Sequence, residues 1–449
     1  MLTWSKQPTI ARPAYRLRAS AVALLLVTVM VRAQDNDPVR FSAREKNRIL
    51  RLSPLGPPPP SPTNRVADDD RAARLGQFLF FDTGLSGNGA VSCATCHKPD
   101  AGFADSVPIS RGVGRAARHT PALWNVAYNR WFFWDGRADT LWAQALEPIE
   151  NPVEMASSRL QVAHHVADND ALREAYLRTF GQLPELNNLD RFPAAGRPVT
   201  SAPDHPHQRA WSAMSRDDQQ AVNRVFTNVT KAIAAYQRRI VSRNAPFDVF
   251  VEGLRTGDSE KRDRLSPAAQ RGLKLFVTDA RCRLCHSGPN FTDEEFHDTR
   301  IPPATTADGN DPGRYGGIVR LLANPFNAAG IYADKRDQDA LAKLEYLALR
   351  PDFTHQFKTP TLRNVALTAP YMHNGRFKTL ADVVHFYSTL EGAMPAGHHR
   401  QEQILEPLHL SDRQIRDLVA FLESLTDDRI DPSLTRPPLT LPDTNPSDN

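Results

Sequence analysis

Two copies of one short cysteine pattern constrain this chain more than any other feature of its sequence. "SCATCHKPD" spans residues 92–100 and "RCRLCHSGP" spans residues 281–289. Each copy has two cysteines three positions apart and a histidine directly behind them. The chain has four cysteines, and all of them lie in these two segments. A fold built on this sequence must therefore place its cysteines in two similar local sites.

Covalent haem attachment is the use that explains the whole pattern. Disulfides suit an exported chain but give no reason for a histidine at the next position, and neither zinc-ligand spacing nor a βαβ setting accompanies the cysteines. C-x-x-C-H is the attachment signature of c-type haem: two thiols join the haem vinyl groups and the histidine ligates the iron. We therefore expect two covalently bound haem c groups. The attachment residues are Cys93, Cys96 and His97 at the first site and Cys282, Cys285 and His286 at the second.

The first 33 residues predict an export signal. Basic residues precede the apolar run "ASAVALLLVTVMV" at 19–31, and "VRA" then ends at the small residue Ala33. The run is short for a membrane span and has the wrong flanks, so we expect cleavage, a periplasmic protein and no span afterwards. The alternative is an uncleaved membrane anchor. The formal net charge of +4 includes five basic residues of this signal. The mature chain is therefore nearly neutral, which gives no electrostatic basis for binding nucleic acid.

Helical periodicity dominates the remaining chain. "DDDRAARLGQFLFFD" places apolar residues three and four positions apart, and residues 220–240 and 410–425 are also amphipathic. Ser411 is the predicted N-cap of the last of these helices. No comparable run alternates with period two, so the sequence predicts a mostly α fold without an extended sheet. "RLGQFLFFD" before the first cysteine pair is echoed by "RGLKLFVTDA" before the second, which predicts two similar helical units.

Composition and motif positions divide the chain into five parts. They are a signal peptide at 1–33, a proline-rich linker at 34–65, a first haem domain at 66–245, a second haem domain at 246–430 and a tail at 431–449. The prolines of the linker predict an extended spacer outside the globular part, which is expected to start near Val66. The tail is expected to fray from Pro437.

Three long segments resemble the bacterial dihaem cytochrome c peroxidases, including their MauG-like branch. They are "LFFDTGLSGNGAVSCATCHKPDAGFAD" (79–105), "TPALWNVAYNRWFFWDGRADTLWAQALEPIENPVEM" (120–155) and "FKTPTLRNVALTAPYMHNGRFKTLADVVHFY" (357–387). The resemblance extends from Ala67 to Leu425. It implies two cytochrome c-like helical domains, with peroxide reduced at the N-terminal haem and electrons arriving through the C-terminal haem.

The same resemblance implies roles for individual residues. His97 and His286 are the proximal ligands of the two irons, and Trp134 lies between the haems. Gln144 and Glu154 lie above the peroxidatic iron, where Gln144 holds peroxide and Glu154 moves a proton from one peroxide oxygen to the other. Without the resemblance, Glu154 is more typical of a surface carboxylate and Trp134 of a core aromatic side chain.

Two positions depart from the peroxidase pattern. Tyr387 stands where the peroxidases have the methionine ligand of the second iron, as in the MauG-like branch. Met372 is the rival ligand, and a plain core tyrosine is the remaining alternative. Phenolate favours ferric and higher iron, so this haem would store oxidising equivalents rather than ferrous electrons. Val113 replaces the histidine that blocks the first haem in many of the peroxidases, so the first iron is expected to be open.

The calcium site of the family is altered in this chain. Its two backbone-carbonyl positions match Thr368 and Pro370, but His119 replaces the asparagine ligand. Because calcium prefers oxygen ligands, the sequence leaves the binding of one calcium ion open. In the alternative, His119 is a second-shell or surface histidine.

These features predict a periplasmic dihaem peroxidase that reduces hydrogen peroxide with electrons from a small periplasmic redox protein. Two alternatives stay open. A MauG-like enzyme would use high-valent haem chemistry to oxidise aromatic residues of a partner protein, which Tyr387 and Val113 favour. A pure electron-transfer cytochrome would need ligands on both faces of both irons, which Val113 argues against.

Overall fold

A computed structural model describes residues 39–303, 311–336, 338–395, 405–427 and 429–441. The predicted signal peptide at 1–33 and the end of the tail at 442–449 lie outside these ranges. The described chain is mostly helical, as predicted, and its sheet is one antiparallel pair of two-residue strands, Phe296–His297 and Phe357–Lys358. None of its helices combines the length and the apolar character that a membrane crossing needs.

The α-helices of the described ranges are Ala43–Ile49, Asp70–Phe81, Cys93–Cys96, Leu141–Glu150, Arg159–Asp168, Asp170–Phe180, Pro206–Ala213, Arg216–Gln237, Pro246–Thr256, Ser259–Arg262, Pro267–Val277, Gly313–Ala323, Gln338–Glu345, Leu380–Thr389 and Asp412–Glu423. Short 3-10 helices lie at Thr83–Leu85, Pro99–Ala101, Val126–Tyr128, Cys282–Leu284, Pro351–Phe353, Val365–Leu367 and Pro432–Thr435.

The helix before the first cysteine pair crosses a long helix at very short range. Asp70–Phe81 begins where the Asp69 carboxylate accepts a hydrogen bond from an amide of the first turn, and it packs on Arg216–Gln237. A Cβ atom on Gly76 would lie 1.8 Å from the Ala232 carbonyl oxygen. Only glycine therefore permits this approach of the two backbones.

The second cysteine pair follows an equivalent crossing, between Pro267–Val277 and Asp412–Glu423. A Cβ atom on Gly272 would lie 1.9 Å from the Asp417 carbonyl oxygen. Ser411 starts Asp412–Glu423 through a capping box, which confirms the predicted cap. In both halves of the internal repeat, a glycine thus allows two crossing helices to pack closely.

The predicted linker is part of the folded structure. It contains the helix Ala43–Ile49, and Ile49 and Leu52 are buried in the core around the second crossing. The Ser53 hydroxyl donates a hydrogen bond to the Asp248 carboxylate at 2.7 Å. For residues 39–65, the interpretation of the linker as a spacer outside the globular part is therefore wrong, because apolar side chains of this segment are stabilised by burial in a core distant in sequence.

A segment of the predicted second domain packs on the first core instead. Phe326 and Tyr332 are buried among side chains around the first crossing. The buried ammonium of Lys231, on the long helix, lies 2.8 Å from an oxygen of Asp334. The boundary predicted at 245/246 therefore does not separate the two cores completely.

The predicted tail also packs on the first core, up to the end of the described chain. The Gln77 side-chain amide donates a hydrogen bond to the Ser433 carbonyl oxygen at 2.6 Å, and the Arg74 guanidinium donates to the Thr440 carbonyl at 2.8 Å. The expectation of fraying from Pro437 is therefore wrong as far as residue 441, because side chains of the first core donate to the backbone of the tail.

Candidate active site

The two histidines of the repeated cysteine pattern make the same hydrogen bond. His97 Nδ1 lies 3.1 Å from the Phe103 carbonyl oxygen, and His286 Nδ1 lies 3.0 Å from the Phe291 carbonyl oxygen. Each Nδ1 therefore carries the proton, which leaves Nε2 free to ligate a metal. Burial lowers the pKa of His97 to about 4 and lowers the pKa of His286 as well. Both imidazoles are neutral at pH 7, as metal ligands must be.

All four cysteines are free thiols. Burial raises the pKa of Cys93 to about 12, and the pKa of Cys96 to about 11. Burial also raises the pKa of Cys282 to about 12. No disulfide joins the four cysteines, so their thiols are available for covalent attachment. The residues fit the attachment of haem, with the cysteines bonded to the vinyl groups and histidine Nε2 on the iron.

A cavity of about 700 Å³ opens at the first attachment site. His97 and Cys96 line it, and so do Gln144, Glu154 and Trp134. Its volume lies within the range of cofactor and substrate sites. The structure therefore brings the three predicted catalytic side chains to one cavity with the predicted proximal ligand.

Gln144 and Glu154 come from the helix Leu141–Glu150 and from the turn that follows it. The side-chain amide of Asn151 donates a hydrogen bond to Glu154 Oε1 at 2.6 Å. Burial raises the pKa of Glu154, although the charge of Arg137 and the Asn151 hydrogen bond act in the opposite direction. A carboxyl group with a raised pKa beside a cavity is suited to accept and release a proton.

Trp134 is held by both halves of the chain. Its Nε1 donates a hydrogen bond to the His119 carbonyl oxygen at 2.8 Å, and its own carbonyl accepts from the Lys358 amide at 2.7 Å. The indole lines the large cavity and also a smaller one of about 130 Å³. Its ring and the His373 ring pack edge to face with a centroid separation of 6.4 Å.

Sequence reasoning missed His373, which is the counterpart of Trp134 in the internal repeat. "NVAYNRWFFWDGR" at 125–137 aligns with "NVALTAPYMHNGR" at 364–376, which pairs the two residues. Phe357 stacks on the His373 ring at a centroid distance of 3.7 Å. Extending the repeat alignment beyond the cysteine segments would have identified this position.

Tyr387 and Met372, the rival ligands of the second iron, lie in different places. Burial raises the pKa of the Tyr387 phenol, and the neighbouring thiols of Cys285 and Cys282 act in the same direction. Met372 instead lines the smaller cavity together with Trp134. Of the two side chains, Tyr387 is therefore the one placed beside the second cysteine pair.

The three positions compared with the calcium site of the family line the smaller cavity together. They are His119, Thr368 and Pro370. His119 is only 4% exposed, so the surface interpretation of this histidine is wrong. Its Nδ1 lies 3.0 Å from the Val107 carbonyl oxygen, and burial lowers its pKa. A neutral imidazole supplies no oxygen, so these residues are one oxygen ligand short of the family's set.

Val113 contributes to the site through its backbone. Its side chain is 43% exposed, and its amide donates a hydrogen bond to the Glu154 carbonyl oxygen at 2.8 Å. A Cβ atom on the preceding residue, Gly112, would lie 2.2 Å from the same oxygen. The segment therefore packs against the turn that carries Glu154, and the valine side chain offers no metal ligand.

Comparisons with known proteins identify the family. Residues 70–256 match the family described as di-haem cytochrome c peroxidase. The methylamine utilization protein MauG of Methylorubrum extorquens is 33% identical over 355 residues, which cover 78% of this chain and 77% of that protein. The cytochrome c551 peroxidase of Pseudomonas aeruginosa is 30% identical over 367 residues, covering 80% of this chain and 84% of that protein.

A solved structure gives the same result. The crystal structure of a MauG-like protein associated with microbial copper homeostasis matches with a TM-score of 0.58 and 25% identity, covering 86% of this chain and 98% of that one. The relatives include peroxidases and MauG proteins, and the family implies two c-type haems. With this likeness over most of its length, the chain belongs to the di-haem cytochrome c peroxidase family of haem oxidoreductases.

Proposed function

We propose that this protein reduces hydrogen peroxide to water at its first haem site, with electrons delivered through the second. The observation that carries the proposal is the cavity of about 700 Å³ in which Gln144 and Glu154 share one lining with His97. When bound, a haem iron with one free face supplies peroxide binding and redox chemistry. One peroxide molecule, two electrons and two protons give two water molecules.

Glu154 is proposed to move the proton. Cleavage of the O–O bond needs a proton carried from the near peroxide oxygen to the far one, so that water can leave. A carboxylate that accepts and returns this proton contributes about 10² to 10⁴ in rate. Asn151 holds one oxygen of Glu154, and burial keeps the pKa of the carboxyl above its ordinary value, which makes the carboxylate a stronger base for accepting the proton.

Gln144 is proposed to orient peroxide. Its side-chain amide both donates and accepts hydrogen bonds and lines the same cavity as Glu154. Because the amide carries no charge, it adds no repulsion beside the Glu154 carboxylate. A carboxylate at this position would raise the pKa of Glu154 further and hinder its ionisation.

Trp134 is proposed to carry electrons between the two haem sites. The indole is an oxidisable side chain. Trp134 donates a hydrogen bond to His119 and accepts one from Lys358, which fixes it from the two halves of the chain. An intermediate carrier shortens the longest electron step. We propose a small redox protein as the donor and, from the export signal, the periplasm as the location.

Tyr387 supports a second candidate function. In this alternative, a MauG-like enzyme uses the oxidising equivalents of peroxide on aromatic residues of a partner protein. Tyr387 lies beside Cys282 and Cys285, and a phenolate ligand stabilises oxidised iron. The identity of 33% with MauG adds support.

A steady-state assay with peroxide and a reduced small cytochrome separates the two functions. The peroxidase proposal expects turnover that follows peroxide concentration and falls in Glu154→Gln. Absence of turnover, together with peroxide-dependent oxidation of a partner protein, supports the MauG-like alternative. Failure of the resting ferric protein to bind cyanide or peroxide, before or after one-electron reduction, would leave only electron transfer.

A further inference from the structure

We propose that Asn151 is a positioning residue for peroxide cleavage, because its side-chain amide fixes one oxygen of Glu154 and leaves the other to face the cavity. This inference rests on the proposed function. Asn151 Nδ2 donates a hydrogen bond to Glu154 Oε1 at 2.6 Å, and both residues line the cavity. Within the described residues, Glu154 Oε2 makes no hydrogen bond. The carboxylate is thus anchored at one oxygen and available at the other.

The Asn151 side chain does two separable things. Its Oδ1 accepts a hydrogen bond from the Val153 amide at 3.1 Å, which stabilises the turn, while its Nδ2 donates to Glu154. These two partners also fix the orientation of the amide. The Val153 N–H group must face the Oδ1 oxygen, and the Glu154 carboxylate must face the Nδ2 donor. The backbone carbonyl of Asn151 accepts from the Ala156 amide at 2.8 Å. The turn therefore has support that does not depend on Nδ2.

Charged groups also lie around Glu154, but the direct hydrogen bond to its carboxylate comes from Asn151. Arg137 and Arg320 lower the pKa of Glu154 and Glu147 raises it. Glu147 lies 2.7 Å from a guanidinium nitrogen of each arginine, so much of their positive charge is already neutralised. The other titratable groups that interact with Glu154 are the thiols of Cys93 and Cys96. These two become thioethers when haem is attached and then no longer titrate.

Asn151→Asp distinguishes the effect of the Nδ2 donor on Glu154 from the support that Oδ1 gives to the turn. It keeps an oxygen for the Val153 amide and replaces the donor to Glu154 by a second carboxylate. A like charge beside Glu154 raises its pKa, by about one unit or more. Because Glu154 must be ionised to accept the proton, activity is lost as pH falls through this pKa. We expect the acid limb of the pH profile for peroxide cleavage to move about one unit toward higher pH.

Asn188→Asp is the matched control. Asn188 is exposed, and its Oδ1 likewise accepts a backbone hydrogen bond, from the Asp190 amide at 3.1 Å. This variant makes the same chemical change in an exposed turn that does not line the cavity. Its pH profile is expected to match that of the wild type. If Asn151→Asp does not fold, Asn151→Ala removes the same donor. We expect this variant to move the acid limb of the pH profile in the same direction, but by less.

An infrared pH titration of the haem-loaded protein measures the ionisation of Glu154 without turnover. The carboxyl band of Glu154 is identified by its loss in Glu154→Gln, and we expect its midpoint to rise in Asn151→Asp. An unchanged midpoint together with an unchanged acid limb would show that Asn151 only holds the turn, and would overturn the proposal. A haem-loaded wild type that does not cleave peroxide would instead overturn the proposed function, whatever the infrared midpoint does.

Discussion

The two haem-attachment sites share one scaffold and differ in the side chain that the following helix supplies. At both sites a histidine donates to a phenylalanine carbonyl, and a glycine allows the close crossing of two helices. Leu141–Glu150 places Gln144 in the lining of the large cavity, whereas its counterpart, Leu380–Thr389, places Tyr387 beside the cysteine pair. The comparison teaches that equivalent helices can bring different side chains to two otherwise similar sites.

The aspartates after the two sites show a subtler difference. Asp105 pairs with Lys98 at 2.9 Å, and its counterpart Asp293 pairs with His297 at 2.8 Å. The hydrogen bond with Asp293, followed by one with Cys285, raises the pKa of His297 to about 10. The repeat has kept the ion pair and changed the residue that provides the positive charge.

A third difference is the charge behind the large cavity. Asp135 lies 2.6 Å from a nitrogen of Arg118 and 3.0 Å from one of Arg137. The repeat alignment places an uncharged residue, Asn374, at the equivalent position. Only the first half therefore has a buried ion-pair network at this turn, and we expect its stability to depend on that network.

Removal of one attachment site at a time should give the largest effect. Alanine at Cys93 and Cys96 is expected to abolish the first covalent haem and peroxide cleavage, while the second haem remains. Alanine at Cys282 and Cys285 is expected to remove only the second haem. Intact mass and haem staining of denaturing gels measure both outcomes. A wild-type protein with fewer than two covalent haems would end the comparison of the two sites.

Glu154→Gln should have the next largest effect, because the amide cannot shuttle a proton. We expect both haems to remain and the rate of peroxide cleavage to fall at least tenfold. Loss of the whole contribution of general acid–base catalysis would lower the rate by about 10² to 10⁴. Stopped-flow absorbance after mixing with peroxide measures this rate. Glu174→Gln, on an exposed part of the helix Asp170–Phe180, is the matched control. Equal rates in both variants would make Glu154 a bystander.

Asp135→Asn places in the first half the residue type that the second half has at the equivalent position, Asn374. Burial alone would raise the pKa of Asp135, but Arg137 and Arg118 lower it to about 2. Loss of this carboxylate leaves the two guanidinium groups each with one partner fewer, so we expect a loss of about 3 kcal/mol in the free energy of unfolding at pH 7.

The sign of this effect gives a second measurement. An unfolded aspartate titrates near pH 4, so a lowered pKa stabilises the fold above about pH 4. That stabilisation is lost as pH falls toward about 2, the pKa of Asp135 in the fold. Denaturant unfolding should therefore separate wild type and variant at pH 7 and bring them closer at pH 3. The network contributes little if the difference in the free energy of unfolding between wild type and variant is the same at pH 7 and pH 3. The same conclusion follows if the loss at pH 7 is as small as that of the exposed control Asp190→Asn.

The sequence predicts elements whose signals are local. The helix Asp412–Glu423 and its Ser411 cap follow from periodicity and capping within a few residues. The burial of Ile49 and the hydrogen bond from Gln77 to Ser433 could not be predicted, because each depends on partners far apart in the chain. Long-range packing therefore explains why a linker and a tail were expected where the fold has core segments.

The candidate site shows the same limit. The family resemblance predicted that Gln144 and Glu154 share a site, and they line one cavity with His97. Asn151 was missed because its residue type alone does not indicate chemistry, and His373 because the repeat alignment was not extended to it. Their importance comes from what they contact, a carboxylate oxygen at 2.6 Å and an indole ring. Such contacts become visible only when the chain is folded.

Tyr387→Phe should have the smallest effect on peroxide cleavage, yet it tests the comparison of the two sites most directly. If the phenol caps the second iron, its loss should change the optical and EPR spectra of that haem and leave those of the first unchanged. Tyr346→Phe, whose side chain is 79% exposed, is the matched control. In the resting ferric wild type, we expect the first haem to be high-spin and to react with peroxide before any reduction. Two low-spin haems that are inert toward peroxide until one electron is added would show that a side chain caps the first site, and His119, which lines both cavities, is then the residue to replace.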